Sequence, residues 1–182
     1  MSTVTEREAS GETPAVRDTP EVRRAQELCV RLLGVRARSR TELRQAMARK
    51  EIEEEVAELV LGRLDRAGLI DDEAFAHEWV ASRHSHKGLS RRALVNELRR
   101  KGVDDSVAAQ AAATVGEDSE LERAREIVRR KLPSVARVDD TAKLRRLVGV
   151  LARKGYNEGM ALRVVREELS RDGAAGLPDD DF

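Results

Sequence analysis

Three stretches of this chain repeat one another, and that repetition limits what it can fold into more than any other feature. Residues 43–52, 94–103 and 147–156 align without a gap, at offsets of 51 and 53 residues. Each holds two apolar residues four apart: Leu43 and Met47, Leu94 and Leu98, Leu147 and Leu151. A basic pair follows (Arg49-Lys50, Arg100-Lys101, Arg153-Lys154), then a turn position, then one apolar residue (Ile52, Val103, Tyr156). Another apolar residue stands four further on, at Val56, Val107 and Met160. This is the helical period, so one helix ends at the basic pair and a second begins after the turn. Gly102 and Gly155 occupy the turn in two copies, where a left-handed residue terminates a helix at little cost to glycine. The first copy has Glu51 instead, which predicts a turn that is strained or differently built.

A further helix precedes each matched pair, over about 25–35, 72–83 and 119–131. The fold class expected is therefore all-α, three tandem three-helix repeats forming an elongated array. Each unit is only about 50 residues, small for an independent core, so neighbours should lean on one another. The reading divides the chain into a disordered tail over 1–20, repeats over 21–71, 72–118 and 119–171, and an acidic tail over 172–182. The tails are assigned from their polar, Gly- and Pro-containing composition. Aromatic residues are 2% and charged residues 37% of the chain, which suits narrow apolar stripes on solvated helices rather than one large core. Thr41, Ser90 and Ser119 stand where helices could be capped, and Ser119 to Glu122 has the form of a capping box.

The 34 basic residues balance the 34 acidic ones, so only local charge can indicate a partner. Between Arg83 and Lys101, seven basic residues stand against Glu97 alone, and from Arg123 to Arg146 nine stand against three acidic ones. The first repeat is instead acidic, with Glu51, Glu53, Glu54, Glu55 and Glu58. Cations at a helix C-terminus interact favourably with the macrodipole, which accounts for the recurring basic pair without any ligand. The dipole does not account for the outward cluster Arg92, Asn96, Arg99 and Arg100. The candidate contacts for nucleic acid or an acidic protein are Arg83, Lys87, Arg92, Arg99, Arg100 and Lys101 in the second repeat. In the third they are Arg145, Arg153 and Lys154.

Cys29 has no partner for a disulfide and reads as a small buried residue in a cytoplasmic protein. No stretch has the roughly 20 apolar residues that span a bilayer, so no membrane is expected. His77, His84 and His86 lack a zinc-ligand pattern, no Gly-rich phosphate loop occurs, and no acid–base pair can be assembled. A monomeric, non-enzymatic protein without cofactor is the expectation. Phe75 and Trp79, four apart, read as core of the second repeat.

The segment Gly68-Leu69-Ile70-Asp71-Asp72-Glu73-Ala74-Phe75-Ala76, then Trp79, Arg83, Lys87-Gly88 and the basic helix ending Lys101-Gly102-Val103, resembles the central signature of the RecX family. Arg153-Lys154-Gly155-Tyr156 is similar to the basic-Gly-aromatic element of that family's last repeat. The resemblance runs from about Arg24 to Leu169. It implies a negative regulator that lodges in the groove of a RecA filament on single-stranded DNA and suppresses ATPase and strand exchange. It also implies binding to DNA itself, single-stranded and, as a second candidate, double-stranded. The competing expectation is a winged helix-turn-helix transcription regulator over Ser39 to Ile70. Its recognition helix would carry Glu53, Glu54, Glu55 and Glu58, which repel phosphate.

Overall fold

The computed structural model describes residues 19–173, and the readings made for 1–18 and 174–182 lie outside them. The described residues form nine helices and no strand. The first triplet is α1 (Pro20–Val35), α2 (Arg40–Ala48) and α3 (Glu54–Arg66). The second is α4 (Asp72–Lys87), α5 (Arg91–Arg100) and α6 (Asp105–Ala113). The third is α7 (Glu117–Val135), α8 (Asp140–Arg153) and α9 (Glu158–Arg171). The chain divides at Asp71/Asp72 into two compact units, the first triplet in one and the second and third together in the other.

Local chemistry explains the helix limits. Thr19 caps α1 and Pro20 opens it, since a first-turn proline loses no hydrogen bond. The middle helix of each repeat is capped by a side-chain oxygen: Ser39 in a full capping box with Glu42, Ser90 on Ala93 N, and Asp139 on Ala142 N. Two of the capping positions read from the sequence are corrected. Thr41 lies inside α2, and Ser119 lies inside α7, whose N-cap is Gly116. Both fall just past a helix start, where short polar residues also occur because the first N–H groups have no helical partner. The helix α7 runs on through Pro133, its last turn held by buried Val135.

The repeated turn is one structure built three times. Ile52 N donates to Met47 O, Val103 N to Leu98 O and Tyr156 N to Leu151 O, each at 3.2 Å. Such bonds close over a left-handed residue. Gly102 has φ 74° and Gly155 φ 88°, and Glu51 adopts φ 57° in the same place. The first repeat therefore keeps the turn and accepts the steric cost of a Cβ.

Each repeat has its own apolar cluster. Leu43, Met47, Val60 and Leu61 centre the first, Leu94 and Leu98 with Phe75, Ala108 and Ala111 the second, and Leu147, Leu151, Val164 and Leu169 the third. Small alanines on α6 let it approach α4 and α5 closely. Cys29 is fully buried in the first cluster, and burial pushes its thiol up to about 11. In the third repeat Glu168 is 3% exposed and ties α9 to α7 through Arg129, at 2.8 and 3.0 Å, with Arg171 at 2.8 Å. Arg129 holds this carboxylate below the ordinary Glu range.

Two outcomes follow. Glu51→Gly should stabilise the first repeat by about 1 kcal/mol, and Gly102→Ala should destabilise by a similar amount. Gly155→Ala should cost more, by a further ~1–3 kcal/mol of overpacking, because its Cβ would come within 2.6 Å of Ala93 Cβ. Urea melts of the three variants check this order. In the second, Glu168→Gln should cost about 1–2 kcal/mol at neutral pH, discounted for the exposure of Arg129. The folded carboxyl titrates below its unfolded value of about 4.3, so its contribution is present above that pH and lost as pH falls through the folded pKa. The gap between wild type and variant in acid unfolding should close over that range.

Candidate basic interface

The second and third repeats meet along a seam that starts from two glycines. Gly155 packs on the start of α5, and a Cβ there would lie 2.7 Å from Ser90 Oγ. Gly88, with φ 62°, packs on α7, and a Cβ there would lie 2.7 Å from Ile127 Cδ1. The absent side chains let Ser90 N donate to Lys154 O at 3.0 Å and Tyr156 Oη to Gly88 O at 3.3 Å. Burial pushes the Tyr156 hydroxyl far up, so it remains a donor throughout the physiological range. Glu120, 6% exposed, accepts from Arg91 N and Arg91 Nε, both at 2.8 Å. A carboxylate thus closes the N-terminus of α5, where the dipole favours it.

This seam sets Arg92 and Arg100 of α5 beside Arg153 at the end of α8. With Asn96 they line a groove of about 230 Å³. Arg92 and Arg153 are exposed, and Arg100 donates only to its own helix, to Asn96 O at 3.2 Å. Glu97 also lines the groove, but its carboxylate receives Trp79 Nε1 at 2.9 Å and faces Arg83 at 3.4 Å. Three arginines therefore line one groove, and none of them forms an ion pair among the described residues.

The other candidates separate from this groove. Arg83 and Lys101 cover Trp79, each 4.0 Å from its ring centroid, while Trp79 stacks on Phe75 at 5.7 Å. Arg99 is bound to Asp105 at 2.7 Å. Arg145 is exposed on α8, about two turns before Arg153. Lys87 and Lys154 sit together, the Lys154 ammonium donating to Lys87 O. Sequence reasoning missed Arg91 and Glu120, whose pairing spans 29 residues, and it missed Arg123, Arg130 and Lys131 as individual contacts. The spacing of those three on α7 was the available signal. In the first repeat, Glu58 takes Arg40 and Arg44, and Glu54 takes Arg44, while Glu51, Glu53 and Glu55 stay exposed.

His84 and His86 bond the separate carbonyls of Leu89 and Ser82, and no group of three or more metal-ligating side chains occurs among the described residues. No described helix is long and apolar enough to cross a membrane. Ile70 leads into α4, where a winged helix-turn-helix would need a β-hairpin.

Family models for the first, second and third three-helix domains of RecX match residues 25–64, 71–111 and 117–165. The chain belongs to the RecX family. The regulatory protein RecX of Amycolatopsis mediterranei (strain U-32) is 56% identical over 164 residues, 89% of this chain and 94% of its own length. The regulatory protein RecX of Streptomyces coelicolor (strain ATCC BAA-471 / A3(2) / M145) is 48% identical over 172 residues, 94% of this chain and 89% of its own. The crystal structure of RecX from Lactobacillus salivarius matches with a TM-score of 0.72 at 17% identity, covering 81% of this chain and 96% of that one. At that identity the likeness concerns the fold. This RecX-family chain is accordingly a member of a family of regulatory proteins with three three-helix domains.

If Arg83 and Lys101 act through Trp79, Trp79→Leu should lower stability by roughly 1–3 kcal/mol. Two cation–π contacts contribute ~0.5–1 kcal/mol each, and one hydrogen bond contributes about 1. Chemical denaturation measures the loss; an unchanged midpoint would leave both cations available for a ligand.

Proposed function

We propose that this protein is a negative regulator of the RecA recombinase that binds the RecA filament on single-stranded DNA and suppresses its ATPase and strand exchange. Membership in the RecX family supports the RecA partner. The observation that carries the reading here is that Arg92, Arg100 and Arg153 line one groove across the seam, without ion-pair partners among the described residues. An acidic face on adjacent RecA protomers would supply those partners. Coulombic attraction would give capture, and the apolar and hydrogen-bonding margin of the groove, Leu89 and Asn96, would give selectivity. Lys87, Arg145 and Lys154 extend the basic surface around it. Arg83, Arg99 and Lys101 act mainly within the fold, since each already has an internal partner.

The test is the steady-state ATPase of RecA on single-stranded DNA, titrated with this protein. Wild type should inhibit. Arg92→Glu/Arg100→Glu should melt within about 0.5 kcal/mol of wild type, as expected for exposed side chains. It should raise the half-inhibiting concentration by roughly tenfold or more, because a single charge-assisted contact contributes about 1.5 kcal/mol and 1.4 kcal/mol is a factor of ten. Normal inhibition by a normally folded double variant would remove the groove from the contact; no inhibition by wild type would remove the function itself.

A further inference from the structure

A lysine becomes a nucleophile only after its ammonium loses a proton, so it gains reactivity where its surroundings disfavour the charge. The chain has six lysines, and their settings differ. Lys143 faces the Asp140 carboxylate at 2.8 Å, and Lys101 lies over the Trp79 ring. Both settings stabilise an ammonium. Lys50, Lys87 and Lys131 are exposed to water. Lys154 is placed otherwise. Half-buried at the end of α8, it reaches the carbonyl oxygen of Lys87 at the end of α4, and no carboxylate pairs with it among the described residues.

Its neighbours sharpen the contrast. Arg130, Arg123 and Lys131 of α7 and Lys87 of α4 all act on the Lys154 ammonium. The carboxylates on the same side of α7 are already engaged, Glu126 by Arg123 and Glu120 by Arg91. The Tyr156 hydroxyl is pushed far up and stays neutral, and His84 and His86 are each bound to a backbone carbonyl. Burial first, then the four like charges, hold the Lys154 ammonium below the ordinary lysine range. Once neutral, the amine keeps two N–H groups, enough to hold Lys87 O, and has a lone pair to offer. Arg130 and Lys131 are exposed and form no ion pair among the described residues, so both are available to an anion that comes to this amine.

We propose that Lys154 is an acylation site, its amine taking the acyl group of an acyl phosphate whose phosphate is held by Arg130 and Lys131. The lone pair of Nζ adds to the acyl carbonyl carbon. As the C–N bond forms, the bond from that carbon to the phosphate oxygen breaks, and the phosphate leaves with the electron pair. The amine proton passes to the departing phosphate, so the products are an amide and inorganic hydrogen phosphate. The same cations serve both reactants: they favour the neutral amine, and they stabilise the charge that gathers on the leaving group. Acylation removes the Lys154 charge from the cluster and leaves one N–H for Lys87 O, so it relieves the crowding and spares the seam. This site stands whether or not the groove lined by Arg92, Arg100 and Arg153 meets RecA.

The experiment incubates the full chain with acetyl phosphate from pH ~7 to ~9.5, below the ordinary lysine value of about 10.4. Peptide mass spectrometry reads the initial rate at each lysine, beside an end-capped peptide of residues 150–158, whose one lysine is Lys154. At the neutral end Lys154 of the folded chain is acetylated about tenfold or more faster than in the peptide, the gain expected of an anion concentrated by fixed charge. It also leads Lys50 and Lys143. The ratio of folded chain to peptide falls as pH rises, whereas a lysine that is merely accessible gives a constant ratio. Arg130→Gln/Lys131→Gln melts as wild type does, being changed at exposed positions, and loses most of the preference. An acetyl N-hydroxysuccinimide ester, which carries no phosphate, shows a smaller preference for Lys154. In Lys154→Arg the first acetyl group to appear on the intact protein is lost. Slower labelling of Lys154 in the folded chain than in the peptide, a ratio indifferent to pH, or an unaltered preference in the α7 variant overturns the proposal. An equal preference for the ester would show a reactive lysine without a phosphate site, and the acyl phosphate assignment would fall.

Discussion

The close approach of Gly155 to Ser90 is the contact on which the arrangement of the larger unit depends. A side chain at residue 155 would stand 2.6 Å from Ala93 Cβ and 2.7 Å from Ser90 Oγ, so the two repeats could not meet as they do. With glycine there, the carbonyl of Lys154 accepts from Ser90 N and the Tyr156 hydroxyl reaches Gly88 O. The same turn places Arg153 on one side of the seam, facing Arg92 and Arg100, and Lys154 on the other, at Lys87. Two basic surfaces thus come from one backbone turn. That turn is also the helix terminator that each repeat builds, so a local solution to ending a helix doubles as a contact between domains.

Small repeats with few aromatic residues bury limited apolar surface, and the arginines share the task of joining helices. Arg40 and Arg44 bring α2 to α3 through Glu58, Arg91 brings α5 to α7 through Glu120, and Arg129 brings α7 to α9 through Glu168. Glu120 and Glu168 are nearly buried, which strengthens their pairs and raises the cost of leaving either one unpaired. Among the cations without a carboxylate partner, Arg92, Arg100 and Arg153 flank the seam on one side and Lys87 and Lys154 on the other. A balanced net charge therefore conceals local differences: Glu58, Glu120 and Glu168 join helices inside the fold, while Arg92, Arg100 and Arg153 line one groove without an ion pair.

Much of the fold was legible because the helix–turn–helix unit is encoded locally. Apolar residues four apart, a basic pair and a glycine are enough to specify a helix end, and the threefold recurrence removed the ambiguity of any one copy. Glu51 shows the reverse dependence: the surrounding turn imposes on it a left-handed backbone that its own preference would avoid. The candidate site was less legible. Arg83, Arg99 and Lys101 have the same composition signal as Arg92 and Arg100, yet Trp79 and Asp105 engage the first group. Charge counts cannot tell a guanidinium that stacks on a ring from one that faces solvent. Arg123, Arg130 and Lys131 belong to a run whose other members, Arg125 and Arg129, are neutralised by residues some 40 positions away. Only tertiary structure separates the two faces.

Whether the second and third repeats act as one body decides whether their cations form fixed surfaces. Native-state hydrogen exchange of wild type reads this at single amides. If the seam is intact in solution, Ser90 N–H, bonded to Lys154 O, should exchange with the same opening free energy as Leu94 and Leu151 in the two cores. Exchange of Ser90 at the rate of an exposed turn, with both cores still protected, would show repeats that part freely and basic residues that no longer share a surface.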